Sequence, residues 1–158
     1  MKMTLYHASN VVVDDPDTKH SREYLDFGRG FYLTSMCKQA EKYAQRFIRR
    51  HQNAYVNIYT LDAANDEWKV REFLAYDKEW LDFVANCRSG RQTEEYDMVV
   101  GGIANDKVIL TIDLYFNGQI TQEVALNRLK FEHPNIQYCI RSERMLQQCL
   151  TYIESKKL

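Results

Sequence analysis

Hydrophobic positions along the chain fall into short stretches whose period switches between two and about 3.6 residues. Residues 3–8 (Met-Thr-Leu-Tyr-His-Ala) alternate, with Leu5 and His7 on one face and Tyr6 and Ala8 on the other, which predicts a first strand. Residues 9–25 are polar around one apolar knot, Val11-Val12-Val13, and read as a loop with room for a helical turn after Ser21. A short aromatic and β-branched run at 30–34 predicts a second strand. From Cys37 to about His51, Ala40, Tyr43, Ala44, Phe47 and Ile48 recur at helical spacing and predict a buried stripe, with Lys38, Lys42, Arg46, Arg49 and Arg50 opposite.

Residues 55–62 alternate again, placing Val56, Ile58 and Thr60 on one strand face. The stretch 63–75 has no clear period. Residues 77–88 predict a helix with Trp80, Leu81, Phe83 and Val84 inward, and 89–95 a polar loop. Tyr96 to Val100 predicts a short buried strand ending at Gly101-Gly102. Residues 106–116 predict a helix closed by Asn117-Gly118, and Thr121 is the N-cap of another running to Leu129. After Pro134, residues 136–140 alternate, with Ile136, Tyr138 and Ile140 on one face and Gln137, Cys139 and Arg141 on the other. Ser142 then caps a last helix in which Met145, Leu146, Cys149, Leu150 and Ile153 face inward. Short strands with separate helices predict an α+β class rather than regular βαβ units, in one domain over residues 1–158.

Composition changes this picture little. At 158 residues, with 45% apolar and 27% charged positions, the chain can bury a core without staples. A net charge of -1 gives no global attraction to nucleic acid or membrane. Cys37, Cys87, Cys139 and Cys149 are dispersed, with no Cys-x-x-Cys pair, which argues against zinc and for free thiols in a reducing compartment. No apolar leader and no membrane-length run are present, so a cytoplasmic protein is expected. Gly101-Gly102 is not followed by Lys-Ser/Thr, so no P-loop is implied. Eleven tyrosines are the compositional outlier, suited to a cleft that stacks flat ligands.

Candidate chemistry gathers in three places. His7 closes the first strand, where a lone histidine is ordinarily satisfied by a backbone carbonyl. Phe27-Gly28-Arg29-Gly30-Phe31-Tyr32 is a turn into a strand, where glycine permits left-handed backbone and close approach. Gln137 leads a late strand. The basic side of the 37–51 helix could follow a phosphate backbone, although such stripes are most often solvated faces.

Together these segments resemble the ADP-ribosyltransferase superfamily, in the branch of diphtheria-type toxins and poly(ADP-ribose) polymerases. His7-Ala8-Ser9 is similar to the His-Gly-Ser/Thr of its first strand, and Phe27 to Thr34 to its Phe-Gly-x-Gly-x-Tyr-Phe-Ala. Tyr43 follows Tyr32 by eleven residues, as the family's second tyrosine does. The full chain resembles the bacterial domain-of-unknown-function 3990 family, through Asp-Phe-Gly-x-Gly-Phe-Tyr-Leu-Thr and the later Tyr-Asp-Met-Val-Val-Gly.

The resemblance implies a split β-sheet flanked by helices, with NAD in the cleft as substrate and no metal. It implies that Tyr32 and Tyr43 sandwich nicotinamide, that the Ala8 backbone binds its carboxamide, and that His7 and Ser9 hold ribose hydroxyls. His7, Tyr32 and Gln137 would form the catalytic set. It further implies transfer of ADP-ribose to an unknown protein or nucleic-acid acceptor, and a toxin of a toxin–antitoxin or phage-defence pair with an antitoxin partner. Two positions depart from the pattern. Ala8 stands where relatives have glycine, keeping the backbone groups but adding a methyl. Gln137 stands where they have glutamate; it can hydrogen-bond ribose but carries no charge, which favours single transfer or binding alone. Glu132, then Glu94 and Glu95, are the other carboxylates near that strand.

Overall fold

A computed structural model describes residues 2–64 and 67–158. Asn65 and Asp66, within the stretch of no clear period, lie outside the described residues. Among the described residues, seven strands and five helices follow in the order β1 (Lys2–Ser9), β2 (Phe31–Leu33), α1 (Cys37–Arg49), β3 (Tyr55–Asp62), β4 (Val70–Glu72), α2 (Lys78–Arg88), β5 (Met98–Ile103), α3 (Asp106–Phe116), α4 (Gln122–Leu129), β6 (Asn135–Ile140), α5 (Glu143–Cys149) and β7 (Leu150–Lys157). The class is α+β, with two sheets of order β1-β3-β7 and β2-β6-β5-β4. All pairings are antiparallel except β4 with β5.

Side chains of opposite phase build two cores. Phe31, Leu33, Met98, Val100 and Ile140 point from the four-stranded sheet towards Leu5, Tyr59 and Leu61 of the three-stranded one, with Met145 and Leu146 of α5 closing the space. The other phase, Val99 and Cys139 among them, packs with Trp80, Leu81 and Val84 of α2, Val108 and Ile112 of α3, and Leu129 of α4. Helix α1 lies against β1 and β3. Four helices begin at a polar cap: Asp77, Asn105, Thr121 and Ser142 each accept from a backbone N–H three residues on, satisfying donors the helix leaves open.

Several expectations change. No helical turn forms after Ser21. Strand β5 does not stop at the glycines but runs through them to Ile103. Strand β3 itself keeps its expected bounds, with Asn57, Tyr59 and Leu61 buried on the side of the second sheet and Val56 buried on the other. Helix α5 ends at Cys149, and the chain turns into β7 from Leu150, where Ile153 is 54% exposed. Glu-Arg-Met-Leu-Gln-Gln-Cys carries helix formers, whereas Leu-Thr-Tyr-Ile is β-branched and aromatic. The free edge of β3 draws those residues into a ladder. Finally, α1 buries Ala40 and Ala44 but leaves Tyr43 46% exposed: two alanines let the helix sit close on the sheet, and larger neighbours ride at its margin.

Candidate functional site at the gap between two sheets

Among the described residues the two sheets are joined by one bridge. Tyr6 and Thr34 exchange both backbone hydrogen bonds, at 2.8 and 2.9 Å. A continued antiparallel ladder would next pair Ala8 with Tyr32, since partners run in opposite directions. That rung is absent. The Tyr32 carbonyl instead accepts from His7 Nδ1 at 2.7 Å, and the imidazole packs 4.3 Å from the Phe31 ring. By the alternation of the ladder, Ala8 turns its N–H and C=O to the side that Tyr6 uses, and no backbone partner meets them there among the described residues.

His7 is half-buried, and loss of hydration pushes its pKa below the ordinary imidazole value, with the Tyr32 carbonyl opposing in part. The ring is therefore neutral at pH 7. With Nδ1 carrying the proton towards the carbonyl, Nε2 is left with a lone pair that accepts. The ordinary fate of a strand histidine, a backbone carbonyl, is met here on one nitrogen only. The strand below it is anchored by Asn57, which is fully buried. Asn57 donates to the carbonyls of His7 and Val11 at 3.3 Å and accepts from Val13 N–H at 3.0 Å. Nothing in the sequence separated Asn57 from the alternation of its strand. Ser9 Oγ accepts from Val11 N–H at 3.3 Å, leaving its hydroxyl proton free.

Tyr32 closes its own approach turn. Its hydroxyl donates to the Gly28 carbonyl at 2.5 Å and accepts from Phe27 N–H at 3.1 Å, and its ring runs nearly parallel to Phe27 at 6.4 Å. Burial pushes its pKa far above the usual phenol range, with the neighbouring Cys139 adding to the effect. Both glycines of the turn have a physical reason. Gly28 sits at φ 76°, and a Cβ on Gly30 would lie 2.5 Å from Cys139 Sγ and 2.9 Å from the Ile140 carbonyl oxygen. Asp26 locks the turn to the rest of the molecule, accepting from Arg88 at 2.9 Å and from Ala104 N–H at 2.9 Å.

Gln137 pairs with Gly101 of β5. Two positions from Cys139, which pairs with Tyr32, it shares the face of Tyr32. It is half-buried, and its carboxamide has no hydrogen-bond partner among the described residues. Glu132 is half-buried in the loop leading to the same end of β6. Glu94 is committed to Lys69 at 2.6 Å and Tyr96 at 2.7 Å. It and Glu95 precede the Met98 end of β5, three residues and roughly 10 Å from Gly101. Tyr43 has Arg46 over its ring at 3.7 Å and Phe47 edge-on at 6.1 Å; no aromatic contact joins it to Tyr32 among the described residues. The structure thus couples His7 to Tyr32 directly, leaves Ala8 beside them without its rung, places Gln137 in the sheet of Tyr32, and leaves Tyr43 on the open side of α1.

The chain matches the family described as a protein of unknown function, DUF3990, over residues 3–152, and it belongs to that family. No curated protein and no solved structure matches it. The four thiols are free. Among the described residues no cluster of three His, Cys, Asp or Glu side chains is arranged for a metal ion, and no helix is long and apolar enough to cross a membrane.

Proposed function

We propose that the protein is an NAD-dependent mono-ADP-ribosyltransferase with the ADP-ribosyltransferase-like split sheet that its motif segments resemble. The observation that carries this reading is the interrupted rung between β1 and β2. There Ala8 offers an unpaired donor and acceptor side by side, as a carboxamide requires, and neutral His7 offers Nε2 to a ribose hydroxyl. Tyr32 would supply the rigid aromatic wall, because its hydroxyl is already spent on the turn and its ring is held along Phe27. In the reaction the bond between nicotinamide nitrogen and ribose C1′ breaks, its electron pair leaves with nicotinamide, and the acceptor's nucleophile bonds C1′ and loses a proton. Positive charge grows on the ribose, and Gln137 answers it with a neutral dipole, which is weaker than a carboxylate. The test is transfer of label from NAD to protein or nucleic acid in a cell lysate, beside His7→Ala and Tyr32→Ala. Transfer that depends on both residues supports the reading. Transfer that survives in both, or never occurs in the parent, contradicts it.

A second reading follows from Gln137: an NAD- or ADP-ribose-binding module without turnover. Calorimetry with intact NAD separates the two, since heat of binding without nicotinamide release belongs to the module. A third concerns the acceptor. Lys38, Lys42, Arg46, Arg49 and Arg50 make no ion pair among the described residues, and exposed Tyr43 lies stacked under Arg46. Cations interleaved with an aromatic ring suit a nucleic-acid acceptor. Arg46→Glu with Arg50→Glu should then abolish RNA modification and spare NAD hydrolysis.

A further inference from the structure

A cleft of about 340 Å³ opens on another part of the four-stranded sheet, between the loop of Tyr24 to Arg29 and the loop of Gly90 to Thr93. Arg141, just past β6, lies between them. None of His7, Ala8, Ser9, Tyr32, Tyr43 and Gln137 lines it. Three guanidinium groups do: Arg29, Arg91 and Arg141. Arg29 is paired with Glu23. Arg141 is half-buried, with its guanidinium 5.7 Å over the Phe83 ring, and its side-chain hydrogen bonds among the described residues are to the Glu94 carbonyl and Thr93 Oγ1, each at the long distance of 3.4 Å. Arg91 lies over the Phe116 ring at 4.6 Å. Neither has a carboxylate partner among the described residues. Exposed Glu95 is the one lining carboxylate besides Glu23 among the described residues.

Tyr24 adds a second feature. Its backbone is held at φ 59°, a conformation that costs an aromatic residue energy and that clusters at ligand sites. The ring lies directly against Gly90, where a Cβ would approach Tyr24 Cε1 to 2.3 Å, and it stays 58% exposed. An exposed aromatic ring on a left-handed backbone thus lines the same cleft as two guanidinium groups that have no carboxylate partner among the described residues. Planar forks match phosphate oxygens in bidentate fashion, and a tyrosine face takes a flat ring. The volume is at the small end for ligand sites, about 300–1,000 Å³, which suits one nucleotide rather than a dinucleotide.

We propose that this cleft is a second binding site, for a phosphorylated small molecule of nucleoside-monophosphate size, with Arg91 and Arg141 on the phosphate and Tyr24 on the ring. The site has a route to the gap between the sheets: Gly28 lines the cleft, and its carbonyl takes the Tyr32 hydroxyl. Its occupancy needs no NAD.

Calorimetry on the full chain with adenosine 5′-monophosphate, adenosine and inorganic phosphate tests the proposal. The monophosphate should bind the parent and His7→Ala equally, with adenosine about tenfold weaker or worse. Arg91→Gln and Arg141→Gln should each weaken the monophosphate by about tenfold, as loss of a charge-assisted contact does, and Glu95→Gln should tighten it. Arg141→Gln also loosens the 93–94 loop, so exposed Arg91→Gln, checked for unchanged circular dichroism, is the deciding variant. Three results overturn the proposal: no monophosphate or phosphate binding at millimolar concentration, binding that Arg91→Gln leaves intact, or binding lost only in His7→Ala. The last would move the ligand to the gap and leave the NAD reading standing; absence of NAD binding with the arginine dependence intact would do the reverse.

Discussion

His7 Nδ1 donates to the Tyr32 carbonyl across 2.7 Å, in the place where the backbone rung from Ala8 would otherwise stand. One side chain therefore holds the two sheets together and holds them apart. Its burial has a signed consequence for stability. The folded imidazole titrates below its free value of 6.5, so under that pH the unfolded chain binds a proton that the folded chain does not. Stability should fall as pH drops through 6.5 towards the folded pKa. Urea unfolding at pH 8 and pH 5 should show that His7→Gln costs less at pH 5 than at pH 8. An equal cost at both would contradict the assignment.

Tyr32→Phe keeps the ring and deletes the hydroxyl. It strands Phe27 N–H, which the phenol oxygen satisfies at 3.1 Å. A cost of about 1–3 kcal/mol is expected in denaturant midpoints, the usual penalty for an unsatisfied buried donor. Any NAD binding should weaken less than in Tyr32→Ala, since the aromatic wall remains.

Asp26→Ala breaks a pair whose side chains are only 12% and 26% exposed, and it leaves both Arg88 and Ala104 N–H without their acceptor. Arg88 Nε already has no partner among the described residues. A loss of about 3 kcal/mol is expected from thermal or chemical unfolding, the lower end for a pair broken on one side. Asp26→Asn, which retains a carbonyl for Ala104, should lose less.

Gly30→Ala should cost about 1–3 kcal/mol by overpacking, because the added methyl meets Cys139 Sγ and the Ile140 carbonyl at under 3 Å. Pairing it with Cys139→Ala should recover part of that loss, leaving the backbone clash. Full additivity of the two variants would contradict the contact.

Most of the fold was legible because most elements carry their own period and cap. Asp77, Thr121 and Ser142 mark helix starts that the structure keeps. What failed were decisions made by tertiary context. Leu150 to Ile153 fit the helical stripe before them equally well, and only the open edge of β3 makes them a strand. Tyr43 has helical spacing, but two alanines already satisfy the contact between α1 and the sheet. At the candidate site, His7, Ala8 and Tyr32 could be singled out by position and motif. Their coupling through a missing rung could not, since it depends on where the second sheet diverges. Asn57 and Asp26 were invisible as supports, because a buried amide and a turn aspartate look like any others until their partners are known.

Gln137→Glu reports on the weakest part of the proposed chemistry. A carboxylate at this place should raise transferase or NAD-hydrolase rate relative to the parent by about tenfold or more, since a charged acceptor strengthens the bond to developing positive charge. The Glu132→Gln variant should change the rate little if Gln137 is the group at the ribose.

The most direct measurement is release of nicotinamide from labelled NAD by the parent protein, with His7→Ala as control. Slow release, saturable in NAD and lost in His7→Ala, is expected. No release and no NAD binding by the folded parent, or release equal in both proteins, would contradict it.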